Sequence, residues 1–325
     1  MKNVCIVGYG AIGPIHAAAI EKVQSAKLYA ICDIIPERCA QCSEKYPGIK
    51  EYYDFDKMLE DDAIDSVHIC TPHYLHYEMI IKALDKGKTV VAEKPVTMTR
   101  DEFIKLSSHP ERDKVCLVLQ NRLNPCAQKL FNIAKSGEMG KLITARGLLT
   151  WIRDKAYYNS EEWRGKWATE GGGVLINQAV HTLDLISHVA GEIKSLKAHM
   201  MNYSLPDVIE VEDTFTAHMC LEGNIPAVFF ATNSYGANST PDIELIFENG
   251  TLRYTDNKLF KNGEVIETDE IASGEKSYWG LGHVILLRRY YDEGSYFKIS
   301  DADNTMRAMF AMYESAKSDS KEIII

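Results

Sequence analysis

Apolar residues follow two rhythms along this chain, and the rhythm changes near residue 122. Before it, short runs at 4–7, 28–32, 67–70, 89–92 and 115–119 are apolar at nearly every position and rich in β-branched residues. A strand covered by helices on both faces needs that pattern, so the runs predict a buried parallel sheet. Between them, 14–22, 36–46, 74–86 and 99–107 carry helical spacing. Pro14, Pro36 and Pro72 stand near helix starts, where a missing N–H costs little. Such alternation is βαβ organisation and predicts a doubly wound sheet.

After residue 122 the spacing predicts a helix over 124–136 ending at Gly137, then a long strand over 142–152. Gly171-Gly172-Gly173 leads into one helix expected over 174–190. Strands follow at 193–203, 213–221, 225–234, 241–248 and 250–255. Glu222-Gly223-Asn224 and Glu248-Asn249-Gly250 read as hairpin turns, so this second sheet should be antiparallel. In 214–221, Phe215, Ala217, Met219 and Leu221 alternate with Thr214, Thr216, His218 and Cys220. One face of the sheet is expected on the 174–190 helix. Strand 225–234 is apolar on both faces, so the other face is expected against a second subunit. The division predicted is 1–121 and 122–325, with a last helix at about 301–318 packing back on the first domain.

The 325 residues are 46% hydrophobic and 25% charged, ordinary for a globular chain with two cores. A net charge of -10 argues against a general nucleic-acid or membrane-surface binder. The opening MKNVCIVGYGAIG is not expected to be a signal peptide, because its short apolar run passes straight into glycines. No apolar stretch approaches the ~20 residues that span a bilayer. Of eight cysteines, several lie in apolar runs, as buried thiols do. Cys39 and Cys42 form a C-x-x-C without a second ligand pair, and read as two thiols on a polar helix. A reducing cytoplasm is the expected location.

Gly8-Tyr-Gly10-Ala11-Ile12-Gly13 follows the first strand and opens the first helix. That context is what a dinucleotide fingerprint requires. Gly8 permits the turn, Gly10 the approach of a pyrophosphate, and Gly13 close helix packing; phosphates then meet N–H groups at a helix N-terminus. Asp33 lies 20 residues after Gly13, at the end of the second strand, placed for ribose hydroxyls. Its carboxylate would repel a 2′-phosphate, so NAD is expected; Arg38 nearby leaves NADP open.

Glu93-Lys94-Pro95 ends the strand 89–92 at its carboxyl side, the edge where open α/β sheets bind ligands. Proline restricts Lys94 to extended geometry. At ~100° per residue, Asn177, His181 and Asp184 share one face of the 174–190 helix. Trp151, Arg153, Tyr157, Tyr158, Trp163, Arg164 and Trp167 cluster just before the glycine turn, aromatic faces beside polar arms. They suit a carbohydrate, or equally a lid or interface loop. Tyr235 and His283 are further candidates that read as structural when taken alone.

These motifs together resemble the glucose–fructose oxidoreductase / inositol dehydrogenase (Gfo/Idh/MocA) family. The matching residues are Gly8-x-Gly10-x-x-Gly13-x-x-His16, Asp33, Thr71-Pro72-x-x-x-His76, Glu93-Lys94-Pro95, Arg122, Gly171-Gly172-Gly173 and Asn177-x-x-x-His181-x-x-Asp184. The resemblance implies a Rossmann domain with a doubly wound parallel sheet, then an α/β domain with a large, open, mostly antiparallel sheet. It implies NAD(P)-dependent hydride transfer at a sugar, polyol or related hydroxyl carbon, no metal, and a homodimer or homotetramer formed through the open sheet. Lys94 and His181 would be catalytic, with Asn177 orienting. Thr71, Pro72, His76, Glu93 and Arg122 would join the glycine loop on the cofactor, and Arg122, Trp151 and Trp167 would reach substrate. Many members have Asp where Asn177 stands. A neutral amide cannot raise the basicity of His181, and Asp184 is expected to supply the charge instead. Alternatives with the same residues are an NAD-dependent glycoside hydrolase and a silent NAD or sugar sensor.

Overall fold

The computed structural model describes residues 1–270 and 281–325. The chain begins β1 (Lys2–Val7), α1 (Gly13–Ile20), β2 (Ala26–Cys32), α2 (Pro36–Lys45), β3 (Lys50–Tyr52), α3 (Phe55–Leu59), β4 (Ser66–Ile69), α4 (His73–Asp85), β5 (Thr89–Ala92), α5 (Arg100–Ser107) and β6 (Val115–Leu117). The six strands pair in the order β3-β2-β1-β4-β5-β6, every pairing parallel. This is the doubly wound sheet the apolar runs predict. Its order reverses between β1 and β4, the switch point beside which such sheets bind ligands. Val4, Cys5 and Ile6, like Val90 and Val91, are fully buried. β3 and α3 are additions that the pattern gave no sign of, because three residues of an exposed edge carry almost no periodicity.

The rest of the chain runs α6 (Pro125–Ser136), β7 (Leu142–Thr150), α7 (Lys155–Asn159), α8 (Val174–Asn177), α9 (Val180–Ala190), β8 (Ile193–Met201), β9 (Thr214–Leu221), β10 (Ile225–Thr232), β11 (Asp242–Phe247), β12 (Gly250–Thr255), β13 (Lys258–Lys261), β14 (Glu264–Thr268), α10 (Gly282–Glu293), α11 (Asp303–Lys317) and β15 (Ile323–Ile324). Among the described residues, nine strands form the second sheet, ordered β14-β13-β12-β11-β7-β10-β9-β8-β15. It is antiparallel except where β10 runs parallel to β7. Both hairpins stand where the turn residues placed them, closing on Leu221↔Ile225 and Phe247↔Gly250. Phe215, Ala217, Met219 and Leu221 are buried on one face, as their alternation predicts.

Two compact units result, Met1–Gln120 with Gly282–Asp301, and Asn121–Leu281 with Ala302–Ile325. Two expectations change. The 122–325 segment is interrupted, since α10 packs on α1 and Asp292 accepts the Ser25 N–H at 2.8 Å. The last helix, α11, lies instead within the second unit, against β8 and α9. Its buried Met306, Met309 and Met312 occupy that side.

The helix expected over 174–190 is two helices. The carbonyl of Val174 accepts from both Gln178 N and Ala179 N, and the ladder restarts with Leu183 N on Ala179 O. Asn177 therefore closes α8 while His181 enters the first turn of α9. Asn177 is thus on a different helix from His181 and Asp184, which both lie on α9.

Among the described residues, no helix is long and apolar enough to cross a membrane. All eight cysteines are thiols, seven of them buried. Burial pushes both Cys39 and Cys42 up to about 11, so neither is a reactive thiolate near neutrality.

Phe215 is fully buried, with its ring 5.6 Å from that of Tyr313 on α11. Phe215→Ala is expected to cost about 3–5 kcal/mol of unfolding free energy. Denaturant melts measure it, and a loss below about 1 kcal/mol would mean that this face is not core.

Candidate active site

In the first unit, β1 runs into the glycine loop. Gly8 has φ of +92°, and a Cβ there would lie 2.7 Å from the Cys70 carbonyl oxygen. A Cβ on Gly13 would strike the Gly8 carbonyl, so α1 starts where only glycine lets it. At Gly10 the Cβ direction is open but for Arg38 Nη1 at 3.9 Å. That is the cradle a pyrophosphate needs, closed on the protein side and open on the other. Asp33, buried at the end of β2, accepts from Tyr9 N at 2.8 Å and Ile35 N at 2.9 Å. Arg38 Nη1 stands 4.0 Å from its Oδ2. Each carboxylate oxygen retains accepting capacity for ribose hydroxyls. The residues present fit a dinucleotide.

The carboxyl ends of β4 and β5 carry Thr71-Pro72 and Glu93-Lys94-Pro95. His76 on α4 joins these ends. One ring nitrogen lies 2.7 Å from Pro95 O and the other 2.8 Å from Thr71 O. Burial lowers its pKa, against the pull of the two carbonyls. With both nitrogens on backbone, His76 braces the two strand ends.

Glu93 is tied into a buried network. Its buried carboxylate lies 3.1 Å from His16 Nε2, 3.5 Å from His283 Nε2, and accepts from Lys94 N at 3.1 Å. Burial alone would raise its pKa, but the two imidazoles hold it well below the carboxylate range. The chain of contacts continues from His16 Nδ1 to His68 Nδ1 at 2.9 Å, and from His68 Nε2 to Tyr291 Oη at 2.8 Å. Burial first, and then His16, hold His68 well below its ordinary pKa, so it is neutral near pH 7. His283 thus enters from α10, a partner that spacing gave no hint of. The ligating atoms of His16, Glu93 and His283 lie within 4.8 Å of one another. The Lys94–Pro95 peptide bond is cis, and Lys94 is half-buried at the end of this motif.

In the second unit, Gly171 has φ of +84°. A Cβ on Gly172 would strike Tyr313 Oη, and one on Gly173 the Glu212 carbonyl. The glycine triplet is therefore forced by packing. The Glu212 carboxylate takes Gly173 N at 2.9 Å, Leu175 N at 3.1 Å and Tyr313 Oη at 2.8 Å. Burial pushes Glu212 up to about 7 against these donors. Asn177 follows, half-buried, with Nδ2 2.5 Å from Glu170 Oε1. Gln178 Nε2 donates to Tyr157 Oη at 3.0 Å, and Asn233 Nδ2 to Gln178 Oε1 at 2.9 Å. Glu170 was not among the sequence candidates. A lone glutamate in a polar loop resembles a surface residue, and no spacing rule ties it to Asn177.

Asp184 does not serve His181. Its oxygens hold the Arg122 guanidinium in a fork at 2.8 and 2.6 Å and accept from Thr305 Oγ1 at 2.8 Å. Arg122 and Asp184 are both buried. Arg122, expected on cofactor and substrate, turns Nε and one terminal nitrogen to this pair.

The aromatic candidates divide. Trp151 is buried and donates Nε1–H to Ser239 O at 2.7 Å. Trp167 donates to Glu210 O at 3.0 Å, with Lys317 Nζ 4.2 Å above its ring. Both are engaged by the fold. The guanidinium of Arg164 lies 4.1 Å from the Tyr157 ring centre and that of Arg153 lies 5.0 Å from it, which leaves a cationic, aromatic surface next to Asn177. Tyr158 is buried and Trp163 half-buried, while Tyr235 is exposed.

Asp184→Ala would leave the Arg122 guanidinium buried without its carboxylate. The expected loss is about 3–5 kcal/mol, read as a lowered unfolding midpoint. A variant as stable as the parent would show that the pair contributes nothing.

Residues 2–121 match the model of the oxidoreductase family with the NAD-binding Rossmann fold, and residues 127–253 match the GFO/IDH/MocA C-terminal domain. An oxidoreductase of Bacillus subtilis (strain 168) is 25% identical over 88% of this chain and 81% of its own length. The scyllo-inositol 2-dehydrogenase (NAD(+)) of the same organism is 31% identical over 60% of this chain and 56% of its own. The WlbA dehydrogenase from Bordetella pertussis, solved in complex with NADH and UDP-GlcNAcA, superposes with a TM-score of 0.85 at 25% identity, covering 100% of this chain and 98% of that one. With both halves of its architecture matched, the chain belongs to the Gfo/Idh/MocA family of NAD-binding oxidoreductases.

Proposed function

We propose that the protein transfers a hydride between NAD and the hydroxyl or carbonyl carbon of a sugar, polyol or related small molecule, with Lys94 and His181 at the reacting oxygen. The observation that carries this reading is Lys94 itself. It follows the end of β5, two strands from the β1 that runs into the glycine cradle, on a backbone held by buried Glu93, whose carboxylate lies 3.1 Å from His16 Nε2 on α1. Sugar-like substrates are proposed because relatives are named for inositol and for a nucleotide sugar acid in complex. The tyrosine flanked by two guanidinium groups suits such hydroxyl-rich or acidic molecules.

Hydride acceptance is the chemistry that a bound nicotinamide supplies. Lys94 donates a hydrogen bond to the substrate oxygen and stabilises negative charge as it develops there. His181 takes the hydroxyl proton; a neutral imidazole is a competent base near pH 7. Asn177 orients the substrate or His181. Asp33 favours NAD, and Arg38 is the residue through which NADP would be held.

We also propose a homodimer or homotetramer formed through the outer face of the second sheet, where Val228 is 41% exposed beside half-buried Phe230. Val228→Glu is expected to shift the mass in solution toward the monomer, as light scattering would show; an unchanged assembly excludes this face. A cytoplasmic location is part of the same reading.

Lys94→Ala and His181→Ala should each lower turnover by roughly 10²-fold or more while NAD still binds. NADH absorbance against a panel of polyols, aldoses, inositols and sugar acids measures it. Full activity in either variant removes that residue from the mechanism.

A further inference from the structure

An amide can present its oxygen or its nitrogen, so Asn177 alone does not define what it offers. Glu170 makes the choice. Its side chain is 0% exposed, with Oε1 2.5 Å from Asn177 Nδ2 and Oε2 2.5 Å from Gly165 N. We propose that Glu170 is a positioning residue for the reaction: its carboxylate holds the Asn177 NH2 and turns Oδ1 the other way, so that asparagine acts as a fixed acceptor. This rests on the reading that Asn177 belongs to the reacting site.

The chemistry is directional. An ionised carboxylate only accepts, so it tolerates Nδ2 and repels Oδ1. A protonated Glu170 has one O–H to donate, Oδ1 becomes a partner for it, and the amide is free to turn over. Burial pushes Glu170 up to about 7, and Glu212 adds to this, while Gly165 N, Asn177 and Arg164 pull the other way. The phenols of Tyr157, Tyr158 and Tyr313 also face it, and on its own segment stands exposed Lys166. Above the midpoint Asn177 shows its oxygen; below it the orientation is lost.

A swap separates positioning from simple support of the loop. Glu170→Gln is expected to lower kcat roughly 10-fold or more with the KM for NAD unchanged. Asn177→Asp alone sets two carboxylates face to face and is also impaired. The double variant Glu170→Gln/Asn177→Asp restores the donor–acceptor pair with its partners exchanged, and should recover to within about 3-fold of the parent. Independently of turnover, the Asn177 side-chain amide signals in NMR should titrate with a midpoint of about 7 in the parent and not in Glu170→Gln. The proposal is overturned if those signals do not move across about pH 5.5 to 8.5, or if the folded swap variant is no better than Glu170→Gln. A parent that binds NAD but never transfers hydride would instead sink the functional reading, and the amide titration would still decide the role of Glu170.

Discussion

A carboxylate taken out of water must find donors, and that constraint shapes every part of the candidate site. Glu93 collects two imidazoles and the Lys94 N–H. Asp184 collects Arg122 and Thr305. Glu212 collects the glycine turn and Tyr313. Glu170 collects Gly165 and Asn177. The Glu93, Asp184 and Glu212 sets tie segments far apart in sequence, while the Glu170 set closes a local turn onto Asn177. His283, from a helix nearly 200 residues after the motif, meets Glu93 only because α10 returns to the first unit.

The four carboxylates are not alike. Glu93 has cationic-capable imidazoles around it and is held ionised. Glu170 and Glu212 have mostly neutral donors and one another, so burial keeps both near neutrality in their titration. Imidazole partners therefore support the backbone at Lys94 around an ionised Glu93, while mostly neutral donors surround the Glu170 that holds Asn177. The same physics gives two different devices in two units of one chain.

Much of this was legible in the sequence, for identifiable reasons. Parallel strands buried on both faces have no competing pattern, so β1, β2, β4, β5 and β6 were plain in their apolar runs. The glycine loop and Asp33 were legible because backbone approach to a phosphate admits few residue types. The hairpins at Gly223 and Gly250 announced themselves through turn chemistry. What failed was any inference that needed side-chain partners. Asp184 lay one turn from His181 in spacing, yet its charge belongs to Arg122. Asn177 shared a stripe with His181 only if the helix was continuous, and the doubled hydrogen bond at Val174 O breaks it. His76 and Glu93 carried the motif of a cofactor site, but spacing did not show that His76 bonds two strand-end carbonyls or that Glu93 faces two imidazoles. Glu170 was invisible because no periodicity connects it to the amide it holds.

The account turns on one oxygen atom approached by two side chains. A crystal structure of the protein with NADH and a turned-over sugar or polyol measures this directly. The account predicts Lys94 Nζ and a ring nitrogen of His181 both within about 3.2 Å of the same substrate oxygen. Either group lying beyond about 5 Å from that oxygen in the closed ternary complex, with no water between, would contradict it.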